Sequence, residues 1–220
     1  MIGDLNPVRI LTLQMIANLS PGLIKALGIS RSVRSIGLIS TDCDDVTYMA
    51  LDEATKVANV EVVYAKSLYA GASNASTRFA GEVIGILAGP TPAEVASGLQ
   101  GAAAFIESGV GFRNANEAGD VVYLAHCVSR TGSYLAKTAH VPIGQALAYL
   151  VAPPVETILG LDAALKASDV ELVEFFAPPT ETNFAGGLLT GTQSACQSAC
   201  DAFAEAVMEL ARKPMNLGGL

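Results

Sequence analysis

The chain has 220 residues, enough for one large domain or two of roughly 100. It is 51% hydrophobic, only 15% charged and free of Trp, a balance that implies either an unusually apolar surface or surface buried between subunits. A net charge of −8 without a Lys/Arg run argues against a nucleic-acid partner and suits a cationic small molecule better than an anionic one.

The N-terminus lacks a basic segment followed by a long apolar run, so no signal peptide is expected. No stretch of about 18 uncharged apolar residues reads as a membrane span. Four Cys without a dense framework fit reduced, cytosolic thiols.

In chain order, residues 8–27 read as helical, with Ile10, Leu13, Ile16, Leu23, Ile24 and Leu27 near a 3.6 period and a break at Asn18–Gly22. Residues 34–40 form a short apolar run, expected as a buried strand. Asp44 and Asp45 stand where an N-cap belongs, ahead of a helix to about Ala58. Val60–Ala65 reads as a strand, 66–80 as a polar small-residue loop, and Gly81–Ala88 as a strand. Gly89-Pro-Thr-Pro is turn chemistry, and Pro92 starts a helix to Glu107.

The second half repeats this order. His126–Thr138 reads as helical, Ala146–Val151 as a strand, 155–167 as a helix and Val170–Phe175 as a strand. A loop over 177–186, a strand over Gly187–Thr190 and a helix over Thr192–Arg212 complete it. The duplication is plainest in Asp52–Val63 and Asp162–Val173, where Asp, Ala, Lys, Val, Glu and Val recur in the same places. Residues 108–120, rich in Gly and Asn, mark the boundary, which gives domains over 1–110 and 111–220. Each half is expected as an α+β unit, a mainly antiparallel sheet flanked by helices. A duplicated unit places two similar surfaces about a pseudo-symmetry axis.

An Asp, three residues, a Lys, then Val-Glu-Leu/Val-Val occurs in both halves after a short helix. Together with Arg34–Thr41, Cys43–Tyr48, Val128–Leu135 and Ala148–Pro154, this resembles the bacterial microcompartment (BMC) shell domain over roughly residues 8–213. The whole is similar to the tandem-domain shell proteins of ethanolamine utilisation. The resemblance implies two circularly permuted BMC domains. It also implies a homotrimer forming a six-domain pseudohexameric disc, and discs that tile with other shell proteins into a microcompartment shell in the cytoplasm. It implies no cofactor and no catalysis.

Further implications fall on particular residues. Lys56 and Lys166 match the position the family uses at disc edges, where a long stem packs while the amine finds carbonyls. The loops after the second strand of each half would line a gated central pore. Tyr69, Gly71 and Phe79 lie in one, and Asn183, Phe184 and Gly186 in the other, with small residues allowing two conformations. Asp44, Asp45, Glu82, Phe112 and Thr182 match the positions that bind ethanolamine. Carboxylates and an aromatic face suit its ammonium, and a threonine suits its hydroxyl.

Three stretches resemble enzyme or metal-site signals. Asp42-Cys-Asp44-Asp-Val fits the nucleophile motif of Mg²⁺-dependent haloacid-dehalogenase-type phosphatases, with Asp42 as nucleophile and Asp44 as acid/base. The repeat argues against the parallel order that fold requires, but the reading stands as the alternative, beside that of a soluble sensor of small amines. His126-Cys127-Val-Ser-Arg130 is too short to wrap a phosphate, and a structural place for His126 and Cys127 on a helix is expected. Cys196 and Cys200 share a helix face and are expected to pack as small hydrophobes, since no full metal-ligand set is evident.

Overall fold

The computed structural model describes residues 1–30, 33–68, 82–178, 180 and 182–215, with the backbone alone for Leu68 and Glu82. The chain divides into two compact units. One comprises Val8–Val110 with Thr131–Thr138; the other comprises Met1–Pro7, Gly111–Arg130 and Ala139–Leu220. Beside the expected spans 1–110 and 111–220, two short segments thus trade places between the copies.

The first unit begins with strand β1 (Ile10–Ile16) and the short helix α1 (Pro21–Ala26), where one broken helix was expected over 8–27. Ile10, Thr12 and Ile16 are β-branched and favour extended backbone. The helix starts only where Ser20 and Pro21 supply an N-cap and a first helical residue with φ preset. There follow β2 (Ser35–Thr41), α2 (Asp44–Val57), β3 (Glu61–Leu68), β4 (Glu82–Gly89) and α3 (Pro92–Glu107). β3 carries on through Lys66–Leu68, where the sequence predicts loop. The sheet order is β1-β2-β4-β3, every pair antiparallel. Helices α2 and α3 pack against each other and on this sheet.

The second unit opens with β5 (Arg113–Asn114) and β6 (Val122–Val128). His126 and Cys127 therefore lie on a strand, not on the expected helix over 126–138. That helix shrinks to α4 (Ser133–Thr138), which belongs to the first unit. β7 (Ala146–Ala152), α5 (Pro154–Ala167), β8 (Val170–Phe176), β9 (Ala185–Gly191) and α6 (Gln193–Arg212) complete the chain. The order β5-β6-β7-β9-β8 repeats that of the first sheet with β5 added at one edge.

The repeat is exact enough to copy an irregularity. β3 slips register against β4 between Val62 and Tyr64, and β8 slips against β9 between Leu172 and Glu174. These are the matched positions of the sequence echo. The second core joins Ala148, Leu150 and Leu189 of the sheet to Leu161 of α5 and to Cys196, Cys200 and Phe203 of α6. Cys196 and Cys200 are thus packed as small apolar groups, as expected. A smaller cluster joins Leu19 and Ile24 to Ile36 and Ile86 on the first sheet.

Candidate functional site

The acidic candidates lie at the start of α2. Cys43 is the N-cap residue, without a side-chain cap, so Asp44 and Asp45 occupy the first turn rather than the cap. Carboxylates in the first turn still meet the positive end of the helix dipole. The turn ahead of them is fixed by hydroxyls. Thr41 Oγ1 accepts from Cys43 N at 3.1 Å and sits 2.6 Å from Thr47 Oγ1, and Thr47 donates to Cys43 O at 2.7 Å.

Asp44 is buried, yet its carboxylate is well supplied with donors. Its Oδ1 accepts from Asp45 N at 3.0 Å, and its Oδ2 accepts from the Ser67 hydroxyl at 2.6 Å. Ser67 lies 2.5 Å in turn from the Tyr48 hydroxyl. The three groups form a relay from α2 to β3 and back that fixes the direction of the Asp44 carboxylate. Burial, the largest cause, pushes the Tyr48 phenol well above its usual range, so it stays protonated as a donor. Neither Tyr48 nor Ser67 was singled out from the sequence, because nothing in their spacing ties β3 to the α2 N-terminus. Glu82 pairs in register with Leu68, next to the Ser67–Val83 pair. Its backbone is therefore at the end of the sheet where Ser67 reaches Asp44.

Phe112 and Thr182 belong to the second unit. Phe112 is buried with its ring centroid 4.9 Å from that of Phe184 at 36°. Its carbonyl accepts from Asn6 N at 2.8 Å, which ties the N-terminal segment to this unit. The Phe184 ring is buried as well. Thr182 Oγ1 accepts from Phe184 N at 3.3 Å, and Thr180 Oγ1 donates to Phe184 O at 2.8 Å. Asn183 is exposed beside them. Gly186 lies in β9, opposite Val151 and Phe176, so the strand begins two residues earlier than expected. Tyr69, Gly71 and Phe79 lie outside the described residues.

The two repeat lysines differ. Lys56 is drawn in, its amine 3.2 Å from Asp52 and 2.5 Å from Glu53, with 8% of its side chain exposed. Lys166 is 73% exposed and meets Asp162 at 2.6 Å.

The phosphatase reading finds no support. Asp42 is held by Arg9, which donates its backbone N–H to Oδ1 and its Nε to Oδ2, both at 2.8 Å. The pair ties the residue before β1 to the residue after β2. Among the described residues every strand pair is antiparallel, without the parallel order that chemistry uses. Among the described residues no cluster of metal-ligating side chains occurs, and no helix is long and apolar enough to cross a membrane.

A family model described as the BMC domain matches residues 35–115. The chain is 64% identical over 215 residues to the bacterial microcompartment shell protein EutL of Clostridium perfringens, covering 98% of this chain and 99% of the relative. The chain belongs to the bacterial microcompartment shell proteins. Its fold agrees with two solved structures. The crystal structure of EutL from Clostridium perfringens superposes with a TM-score of 0.93 at 64% identity, covering 99% of both chains. The ethanolamine utilization protein EutL from Leptotrichia buccalis gives 0.93 at 58% identity, covering 98% of this chain and 100% of the other. The tandem α+β fold and a structural, non-enzymatic shell role follow from that membership.

Proposed function

We propose that this shell protein acts as a homotrimer, its six domain copies forming a disc with a gated central pore, and that each chain binds ethanolamine. Asp44, Asp45 and Glu82 supply carboxylates to the ammonium, Phe112 an aromatic face, and Thr182 a hydroxyl partner. The observation that carries this reading is the buried Asp44 carboxylate, aimed by the Ser67–Tyr48 relay at the head of α2. Burying an anion is costly unless its partners are built in, and this pair of hydroxyls meets that cost at an acidic helix start. A relative 58% identical over nearly the whole chain is an ethanolamine utilization protein.

Isothermal titration with ethanolamine tests the site. Binding that disappears in Asp44→Asn/Asp45→Asn supports it; equal heats from the wild type and that variant remove it.

The pore loops in this reading are the segment after β3, with Tyr69, Gly71 and Phe79, and the segment between β8 and β9, with Asn183 and Phe184 and with Gly186 at the start of β9. Thr182 lies in the second, so ligand binding biases whichever loop state offers its hydroxyl. Opening this loop would require Phe184 to leave Phe112. Protease protection of 177–187 with and without ethanolamine reads this coupling; identical protection would end it. Lys166, with its exposed amine, and Lys56, with its packed stem, are the proposed contacts to neighbouring discs. Electron microscopy of sheets from Lys166→Ala checks that role, and unimpaired sheets would remove it.

A further inference from the structure

The Asp44 carboxylate is aimed from farther off than its two hydroxyl neighbours. A carboxylate only accepts, so Ser67 gives its one proton to Asp44 Oδ2 at 2.6 Å and takes the Tyr48 O–H at 2.5 Å. The relay therefore has a direction, and its head is the Tyr48 phenol. Tyr48 makes a second contact: its ring centroid lies 6.2 Å from that of Tyr134, with the planes at 43°. That spacing falls within the range of roughly 4.5–7 Å that aromatic pairs favour.

Tyr134 stands on α4, and α4 is fastened to α2 on both sides of it. Asp52 accepts Gly132 N at 2.7 Å and Leu135 N at 2.8 Å, and Thr55 Oγ1 accepts Ser133 N at 3.0 Å. Leu135 is buried, as is Met49 of α2. These bonds set the backbone that carries the Tyr134 ring to Tyr48.

The duplication separates what the scaffold needs from what the relay needs. Thr47 of α2 and Thr157 of α5 occupy matched places, both fully buried and each donating to a carbonyl at the head of its helix. The Asp and Lys of the echo and the register slip of the following strand are shared as well. The relay is not shared. On the same register Asp44 becomes Pro154, Tyr48 becomes Ile158 and Ser67 becomes Ala177. α1 matches α4 in turn: Ile24 N donates to Ser20 O as Ala136 N donates to Gly132 O, and Gly28 and His140 follow, both at positive φ. On that match Leu135 keeps an equivalent in Leu23, whereas Tyr134 becomes Gly22. Four side chains are thus present together where the carboxylate is and absent together where it is not. A ring that served only to pack a short helix would have no reason to come and go with Asp44.

We infer that Tyr134 is a positioning residue of the amine site: its ring sets Tyr48, through which Ser67 aims the Asp44 carboxylate, and docking of α4 on α2 is thereby coupled to ligand affinity, a coupling that rests on the reading of Asp44 as a partner of the ammonium. The coupling is reciprocal, so whatever the docked α4 adds to affinity, bound ligand adds to the docking of α4.

Titration of the full chain with ethanolamine and amide hydrogen exchange test this together. Tyr134→Leu keeps an apolar side chain without the ring and should bind roughly threefold more weakly, near the low end of what one neutral hydrogen bond is worth. Tyr134→Phe should bind as the wild type does. Because Tyr134 acts through Tyr48, adding Tyr134→Leu to Tyr48→Phe should cost nothing further. Saturating ethanolamine should slow exchange at the Gly132 and Leu135 amides of the wild type by about the same threefold, leave the Ile24 amide of α1 at its own rate, and have no effect on α4 in Tyr134→Leu. Should Tyr134→Leu lose its far-UV circular dichroism, Tyr48→Phe takes its place in the exchange experiment, with the same loss of α4 slowing expected. Equal affinity of Tyr134→Leu and the wild type, losses that multiply in the double variant, or α4 slowing that is absent from the wild type or persists in the variant overturns the inference while the amine site stands. A wild type that binds no ethanolamine overturns the amine site itself.

Discussion

Asp52 accepts the backbone N–H of Gly132 at 2.7 Å while fully buried, and the same carboxylate takes Leu135 N and the Lys56 amine. The sequence echo at Asp52 is thus the anchor by which a segment of the second copy is fastened to the first unit. Asp52→Ala leaves a buried lysine with only Glu53 and two buried amides without an acceptor. Removing one partner of such a buried pair costs about 3–5 kcal/mol. Urea unfolding should show that loss, and the equivalent Asp162→Ala, exposed in a single chain, should cost far less in the monomer.

Gly132 itself tests the closeness of this approach. An added Cβ would come within 2.2 Å of Thr55 Oγ1 and 2.6 Å of Asp52 O, and the second of these is backbone that cannot swing aside. Gly132→Ala should destabilise by about 1–3 kcal/mol, with hydrogen exchange faster in α4 than elsewhere. In the second unit Gly160 plays the same part against a ring, since its Cβ would meet Phe203 Cδ2 at 2.6 Å. Gly160→Ala should lower stability by a similar amount despite the better helix propensity of alanine. A rise in melting temperature would refute the close packing of α5 on α6.

Much of the fold was legible because local chemistry and tertiary context agreed. Thr91, Pro92 and Glu94 announce α3, and Thr91 Oγ1 does accept from Glu94 N. The duplicated Asp-x-x-x-Lys helix and Val-Glu strand placed α2, β3, α5 and β8. β1 and β6 were not legible. β6 is apolar almost throughout and buried for most of its length, so periodicity does not separate it from a buried helix. β1 is an edge strand with Leu11, Met15 and Ile16 exposed, and its apolar residues fit a period of 3.6 as well as two. At the candidate site Asp44 and Asp45 were visible as an acidic pair. The Ser67–Tyr48 support was not, because it depends on how β3 lies against α2.

Alkaline pH should loosen both units. Burial is the main cause that lifts the Tyr134 phenol to about 12, with the charge of Asp52 adding to it, and burial lifts the Cys196 thiol to about 11. The folded state holds these protons more tightly than the unfolded chain does. Their contribution is complete below the unfolded values, about 8.5 for Cys and 10 for Tyr, and is lost as pH rises through the folded ones. The melting temperature should be flat from pH 7 to 8 and fall steadily from pH 9 to 11. Tyr134→Phe should flatten the upper part of that fall.

The Ser67 hydroxyl offers the sharpest separation of binding from folding. It donates to Asp44 Oδ2 at 2.6 Å and meets Tyr48 at 2.5 Å, so it orients the carboxylate. On the proposed reading it touches no ligand itself. Ser67→Ala removes one hydrogen bond to a charged acceptor, worth about 1.5–3 kcal/mol, while Asp45 N still holds Oδ1. The carboxylate stays in place but is free to turn, and ethanolamine affinity should fall roughly tenfold, the equivalent of about 1.4 kcal/mol. Tyr48→Phe should produce a smaller fall, because Ser67 keeps its bond to Asp44 and loses only its own partner. The ordering is the test: titration should give wild type, then Tyr48→Phe, then Ser67→Ala, then Asp44→Asn in decreasing affinity. Ser67→Ala and wild type binding alike would mean that Asp44 is held there for the fold and not for an amine.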